Sequence, residues 1–374
     1  MMDQRFYRFL FQKSANGSYN QVSSEIIRSI VEIHVEQEMD MAWQCRIKLR
    51  IKADEKGNWT DEHRELMKPF IRIRIEIGYG IPPYIPLIDG PVVGHDISMS
   101  SEPGNSFATI TVQDDSIFLN QDQSFEMFEG KKVQEIVDAC FKIAKDKITP
   151  QFIDRKNFKI PEITMQRGSP IELLREIGMK QGIHTYVLPG HEKGKSIGCF
   201  QTLKSHSTNQ GSLLNAGNYQ PLILLGKERN IDSFDARTDA QAPTNVMVVS
   251  FSPNGKDTSA RTTSPSSLDL VGNKIGYESS INTPTRLPPA YSVGPIEENQ
   301  SDSAIAERNN YSIEATGTIN TTIYPDILQP YSTIQVKGVG PEYTGEYLIT
   351  AVTHTITPAK YTQSFKLKGS ALAG

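Results

Sequence analysis

Cysteine is scarce in this 374-residue chain. Cys45, Cys140 and Cys199 are odd in number, lie far apart and form no Cys-x-x-Cys pair. That argues against a disulfide framework and a zinc site, and points to synthesis in a reducing cytosol. Excess charge is lacking as well: 39 Lys and Arg stand against 43 Asp and Glu, a formal net charge of −4. So small a balance gives no global attraction to nucleic acid or to an anionic membrane. No run approaches the roughly 18 apolar residues that cross a bilayer. The opening MMDQRFYRFLFQKSANG is interrupted by Arg5, Arg8 and Gln12 and has neither the apolar core nor the cleavage site of a signal peptide. An extracellular fate would therefore require a particle or cell lysis.

Enzyme motifs are also missing. There is no GxSxG, no P-loop and no GxGxxG; Gly78 and Gly80, and likewise Gly338 and Gly340, read as turns between strands, since neither pair opens a helix that could bind phosphate. His63, in DEHREL, has no second histidine four residues on, so the ligand pair of a zincin helix is absent, and His191 in GHEKGK fails the same test. Both read as exposed turn histidines. His184 and His354 fall within strand-like runs and read as hydrogen-bonded sheet residues. Acid pairs such as Asp114-Asp115 and Glu297-Glu298 could in principle serve a glycosidase, but adjacent carboxylates are commonly turn residues. No catalytic, cofactor-binding or metal-binding residue is assigned, and no cofactor is expected.

What is present is alternation. Hydrophobic residues make up 37% of a chain long enough for two to four modules, and its mean hydropathy of −0.40 marks it as soluble. Val31, Ile33 and Val35 alternate with Glu32, His34 and Glu36; Ile47, Leu49 and Ile51 with Arg46, Lys48 and Arg50; Ile71 to Ile77 with Arg72, Arg74 and Glu76. Each run predicts a strand with one core face and one wet face, the basic residues lying on ordinary wet faces rather than in a nucleic-acid groove. At Gly130 the period lengthens. Val133, Ile136, Val137, Cys140, Phe141, Ala144 and Ile148 share one face of a helix predicted over 131–147 and stopped by Pro150. A second helix begins at SPIELLREIG, with Ser169 as N-cap, Pro170 in the first turn and Glu172 completing a capping box. Strands follow over 184–188 and 197–203, and again at Asn245–Phe251. Residues 252–310 are rich in Ser, Thr, Asn, Pro and Gly and could hardly order alone. The chain closes on YLITAV and YTQSFKL flanking Thr-Pro-Ala-Lys, a β-hairpin.

The order of these segments carries a family resemblance: a β region, ITVQDDSIFL, the helix GKKVQEIVDACFKIA, SPIELLREIGMKQGIHTYV, the Asn-Val strand, a polar stretch, and STIQVKGVGPEYTGEYLITAVTHTITPAKYTQSFKL. It resembles the phage late control protein D family of baseplate hubs, and the N-terminal hub part of type VI secretion spike proteins. The resemblance implies a mainly β fold with an α+β insert, two β-barrel-like domains flanking a small α+β module. Residues 1–115 would be the first barrel, 116–228 the middle module, 229–251 with 311–374 the second barrel, and 252–310 a polar linker-like segment ordered by assembly. It further implies a homotrimer whose six barrels form a pseudo-sixfold ring between a hexameric tube or tube-initiator protein and a trimeric spike, among other baseplate proteins. Because the sequence stops at Gly374, the spike is expected to be a separate chain. No nucleic acid and no direct membrane insertion is expected; the protein would be made in the bacterial cytoplasm and built into a tail or tail-like particle. Two alternatives come from other classes: a baseplate-associated cell-wall-degrading enzyme using a carboxylate pair, and a monomeric β-rich ligand-binding protein.

Overall fold

The computed structural model describes residues 6–13, 17–52, 57, 59, 61–78, 83–102, 104–153, 163–203, 219–239, 245–251, 258–263, 285–286, 292–293 and 311–369. The first part holds β1 (Phe6–Gln12), β2 (Asn20–Gln21), α1 (Ser24–Ser29), β3 (Ile30–Glu38), β4 (Gln44–Arg50), α2 (Asp61–Leu66), β5 (Arg72–Gly78), β6 (Ile85–Ser98) and β7 (Phe107–Gln113). A 3-10 turn, Asp115–Leu119, leads into β8 (Ser124–Glu129), α3 (Val133–Lys142), β9 (Ile148–Ile153), β10 (Ile163–Gly168), α4 (Pro170–Gln181), β11 (His184–Pro189) and β12 (Ser196–Gln201). Then come β13 (Leu222–Ile223), β14 (Ile231–Thr238), β15 (Asn245–Phe251), β16 (Thr258–Thr263), β17 (Thr285–Arg286) and β18 (Ser292–Val293). The last four are β19 (Ile313–Ile319), β20 (Thr333–Lys337), β21 (Gly345–Ile356) and β22 (Tyr361–Gly369). The acid pair Glu297-Glu298 and most of the 252–310 segment lie outside the described residues.

Local chemistry explains most boundaries. The Ser169 N–H donates to Glu172 Oε2 at 2.7 Å, the predicted half of a capping box, while its hydroxyl turns to Asn120 Oδ1 at 2.8 Å. Pro170 occupies the first turn and Gly182 closes the helix at φ 65°. All seven residues of the predicted α3 stripe are buried. The helix nevertheless ends at Lys142, short of the expected Lys147, and Pro150 does not stop it. Pro150 lies within β9, at the edge of the three-stranded sheet β11-β12-β9, where a missing N–H costs nothing on the solvent side.

A 13-stranded sheet dominates, in the order β14-β19-β22-β21-β3-β4-β7-β6-β5-β1-β2, with β20 attached to β21 and β13 to β20. Among the described residues it does not close into a barrel. The two expected β-barrels are instead continuous parts of one open sheet, joined where β21 pairs antiparallel with β3 from Ala351–Glu38 to Ile356–Ile33. Alternation marks a strand's two faces but not the edge to which its neighbour binds, so closure was not legible.

The sheet is a tandem repeat. Inward of β2-β1-β5 it runs β6-β7-β4-β3, then β21-β22-β19-β14, so that β3, β4, β5, β6 and β7 correspond in chain order to β14, β19, β20, β21 and β22. Irregularities agree too. A register shift at Ile30/Glu32 between β3 and β4 recurs at Ile231/Ser233 between β14 and β19; another at Val92/Gly94 between β6 and β7 recurs at Ile349/Ala351 between β21 and β22. Ahead of each inner strand stands an aromatic residue in the left-handed region, Phe70 at φ 61° and Tyr331 at φ 68°. Their N–H groups donate to Val92 O at 2.9 Å and Ile349 O at 3.0 Å, the corresponding residues of β6 and β21. Where β3 turns into β4 over residues 39–43, β14 reaches β19 only after residues 239–312, the span that holds the polar segment and the small sheet of β15 to β18.

Apolar burial is organised to match. One cluster lies under β3 to β7 and takes in Ile356 and Tyr361 from across the joint; a second joins α3 and α4 to β11 and β12; a third lies under β19 to β22. A small fourth cluster, Trp43, Tyr186, Leu188, Ile197, Cys199 and Tyr331, sits where all of these meet.

Candidate functional site

Two regions bring functional side chains together: a buried charge network on β5 and the joint between the strand repeats. Arg72 and Arg74 alternate with apolar residues as a wet face should, yet they are 3% and 1% exposed, and Glu76 is 3%. The expectation of a solvated face fails because the 3-10 turn and the β11–β12 loop cover this side of β5, which one strand's alternation cannot reveal. Arg46, Lys48 and Arg50 on β4 are exposed as expected. Arg72 donates to both oxygens of Asp115, at 2.6 and 3.0 Å, to Asp89 Oδ1 at 2.9 Å and to Tyr19 Oη at 2.9 Å. Arg74 donates to Glu76 Oε1 at 2.6 Å, Asp89 Oδ2 at 2.9 Å and the Gly190 carbonyl at 2.8 Å. The Gly194 N–H and Ser196 hydroxyl complete the set, donating to Asp89 at 2.9 Å and Asp115 at 2.7 Å. Burial raises the Asp115 carboxyl against the pull of Arg72, and raises Tyr19, with Asp89 adding to it. Burial opposes the Arg72 cation, but its bonds to Asp115 and the nearby Asp89 charge hold it firmly protonated. Most acceptors and donors are engaged with one another, and the network clamps the α+β region onto the first strand repeat.

Asp114 is buried beside it as the cap of the 3-10 turn, accepting from the Trp43 N–H at 2.6 Å and the Ser116 N–H at 2.8 Å. Burial outweighs those bonds and pushes its pKa up to about 6. The carboxylate pair of the enzyme alternative is thus divided between a cap and an ion network. His63 is on α2 and 3% exposed, contrary to the exposed turn expected of it; burial lowers its pKa against the opposing charges of Glu25 and Glu62. His191 is exposed in the β11–β12 loop. The three cysteines are buried, and Cys140 is pushed up to about 12 by burial. Gly78 ends β5, and Gly338 and Gly340 make a turn at φ 71° and 95°, while Gly80 lies outside the described residues. Among the described residues no group of three or more His, Cys, Asp or Glu could hold a metal ion.

At the joint, the β3–β4 turn meets the second repeat. The Met39 N–H donates to Thr350 O at 2.9 Å, and the Asp40 N–H to Tyr331 Oη at 2.7 Å. Asp40 stands at φ 60°, and its carboxylate takes His184 Nδ1 at 3.0 Å. Tyr331 stacks on Tyr186 with centroids 3.8 Å apart, so the turn, the second repeat and β11 are locked by one ring. His354 lies within β21 as predicted, between Tyr361 Oη at 2.8 Å and Gln37 Oε1 at 3.2 Å across the joint. A cavity of about 450 Å³ opens beside Met39 and Asp40 of the β3–β4 turn, lined also by Glu38, His184, Thr350, Lys366 and Lys368.

The sheet's two repeat ends are open. Among the described residues, β6 has left β5 beyond Pro91 and pairs only with β7, so residues 93–98 present a backbone edge with no described partner, and β14 pairs only with β19. Phe70, Ile97 and Met99 beside the β6 edge are 56%, 39% and 50% exposed.

No protein-family model and no curated protein matches the chain. Solved structures do. The 43 kDa tail protein of prophage MuSo2 from Shewanella oneidensis aligns with a TM-score of 0.58 at 12% identity, over 97% of this chain and 98% of that one. The fold is that of phage tail proteins. A tail protein from Neisseria meningitidis MC58 gives a TM-score of 0.59 at 12% identity, over 97% and 96% of the two chains. The tail-protein fold extends to E. coli c3393, a type VI secretion component that itself exhibits similarity to T4 tail proteins gp27 and gp5; here the TM-score is 0.54 at 10% identity, over 91% and 73%.

Proposed function

We propose that this protein is the structural hub of a contractile tail or injection system, a homotrimer that adapts a hexameric inner tube to a trimeric spike. The tandem strand repeat carries this reading. One chain holds two copies of one strand unit joined head to tail, so three chains supply six units to a tube while keeping threefold symmetry for a spike. The full-length likeness to two tail proteins supports it. Membership of the late control protein D family belongs to the same proposal. So does the division into 1–115, 116–228, 229–251 with 311–374, and an assembly-ordered 252–310. In this reading the protein is made in the bacterial cytoplasm and carried in the particle beside other baseplate proteins. Among the described residues no helix is long and apolar enough to cross a membrane. The role is non-catalytic: Asp114 and Asp115 are engaged in structure, and a peptidoglycan-release assay that lost activity on changing them would overturn it.

Light scattering on the purified protein, alone and with a trimeric spike, tests the assembly. The expected mass is about three times 41.7 kDa, or a three-to-three complex; a monomer indifferent to the spike would sink the hub.

A further inference from the structure

We infer that the free edge of β6 in one copy pairs with β14 of the next, in the register by which β21 pairs with β3 inside the chain. The inference rests on the trimer reading for its stoichiometry, but its geometry comes from the repeat. Because β6 corresponds to β21 and β14 to β3, the internal joint is a template for a joint between copies. The matched bulges fix the correspondence residue by residue: Gly94 takes the place of Ala351, and Ser233 that of Glu32.

Transposing the Ala351–Glu38 to Ile356–Ile33 pairs sets Asp96 opposite Arg237, Ile97 opposite Ala236 and Met99 opposite Phe234. The chemistry agrees with the placement. Asp96 neighbours Thr109 and Arg237 neighbours Glu314 on the polar face of the sheet, so the opposite charges meet on one side. Ile97 neighbours Ala108 and Ala236 neighbours Ala315, both fully or nearly buried, so the apolar residues meet on the core side. At the internal joint the residues in those core-side places, Ile33, Val35, His354 and Ile356, are at most 3% exposed, whereas Ile97 and Met99 stand in solvent. An unpaired strand edge with exposed apolar side chains is a template for another chain, and here the complementary edge is carried by the same molecule. The contact is head to tail, which leads to a ring when the rotation closes.

Charge exchange tests the register. Asp96→Arg, facing Arg237, should raise the trimer dissociation constant about tenfold or more, Arg237→Asp should do the same, and the double exchange should restore it. Both residues are exposed, so circular dichroism should be unchanged in all three variants. Ile97→Cys with Ala236→Cys should give a covalently closed trimer on oxidation, while either alone should not; the native cysteines are buried. A trimer that ignores the charge exchange and fails to cross-link would overturn this joint and leave the hub standing. A wild-type monomer that never cross-links would remove both.

Discussion

Phe70 and Tyr331 hold one position in two copies of a single strand arrangement, with φ 61° and 68° and the same backbone bond to the long strand beside them. Tyr331 is 1% exposed, clamped by Asp40 and Tyr186; Phe70 is 56% exposed. The backbone is repeated, but its surroundings are not. A left-handed aromatic costs about 1–2 kcal/mol in steric strain wherever it stands. At Tyr331 burial offsets that cost within the chain, whereas Phe70 keeps the backbone bond but stands 56% exposed. Under the inferred pairing of copies, the difference separates a joint made within the chain from one left for the next copy.

The strongest way to break the comparison is on the clamped side. Arg74→Ala removes the buried cation shared by Glu76 Oε1 and Asp89 Oδ2, leaving Asp89 with the Arg72 cation alone, and should destabilise the fold by about 4 kcal/mol, read as a shift in urea midpoint. Tyr331→Ala should cost about 3 kcal/mol, from lost burial at the junction, whereas Phe70→Ala should change stability by less than about 0.5 kcal/mol and weaken assembly instead. Equal stability losses from these two would erase the distinction. Asp114 gives a pH test of the clamped region. Its folded pKa of about 6 lies above the ordinary carboxyl value, so the native state binds the proton more tightly. Stability from this group is therefore greatest at low pH and falls as pH rises from about 4 to 6, by about 3 kcal/mol in all. Asp114→Asn should flatten that slope; parallel curves for wild type and variant would refute the assignment. Phe70→Gly works in the opposite direction: it relieves the left-handed strain and should stabilise the isolated chain by about 1 kcal/mol.

Much of this architecture was legible in single segments. The helix at Pro170, the closing hairpin over Thr357–Lys360 and the faces of β3 and β4 follow from caps, turns and alternation. The covered side of β5 was not, because Arg72 and Arg74 are buried by residues from 89 and 115 to 196, far along the chain. Nor was the repeat. Its two copies keep strand order and bulges but not residues, Asp40 lying in a short turn where the second copy carries a long excursion from residue 239. Periodicity reports what a strand's two faces meet, not which strand lies beside it.

The charge network has a consequence for symmetry. By register, Arg72 and Arg74 of β5 correspond to Thr333 and Gln335 of β20, and Gln335 is exposed where Arg74 is sealed. The two strand units are therefore interchangeable to a partner that reads backbone and distinct to one that reads side chains. In the proposed trimer, three copies would thus offer a sixfold pattern and a threefold pattern at once, like a gear whose teeth are alike in shape and alternate in colour.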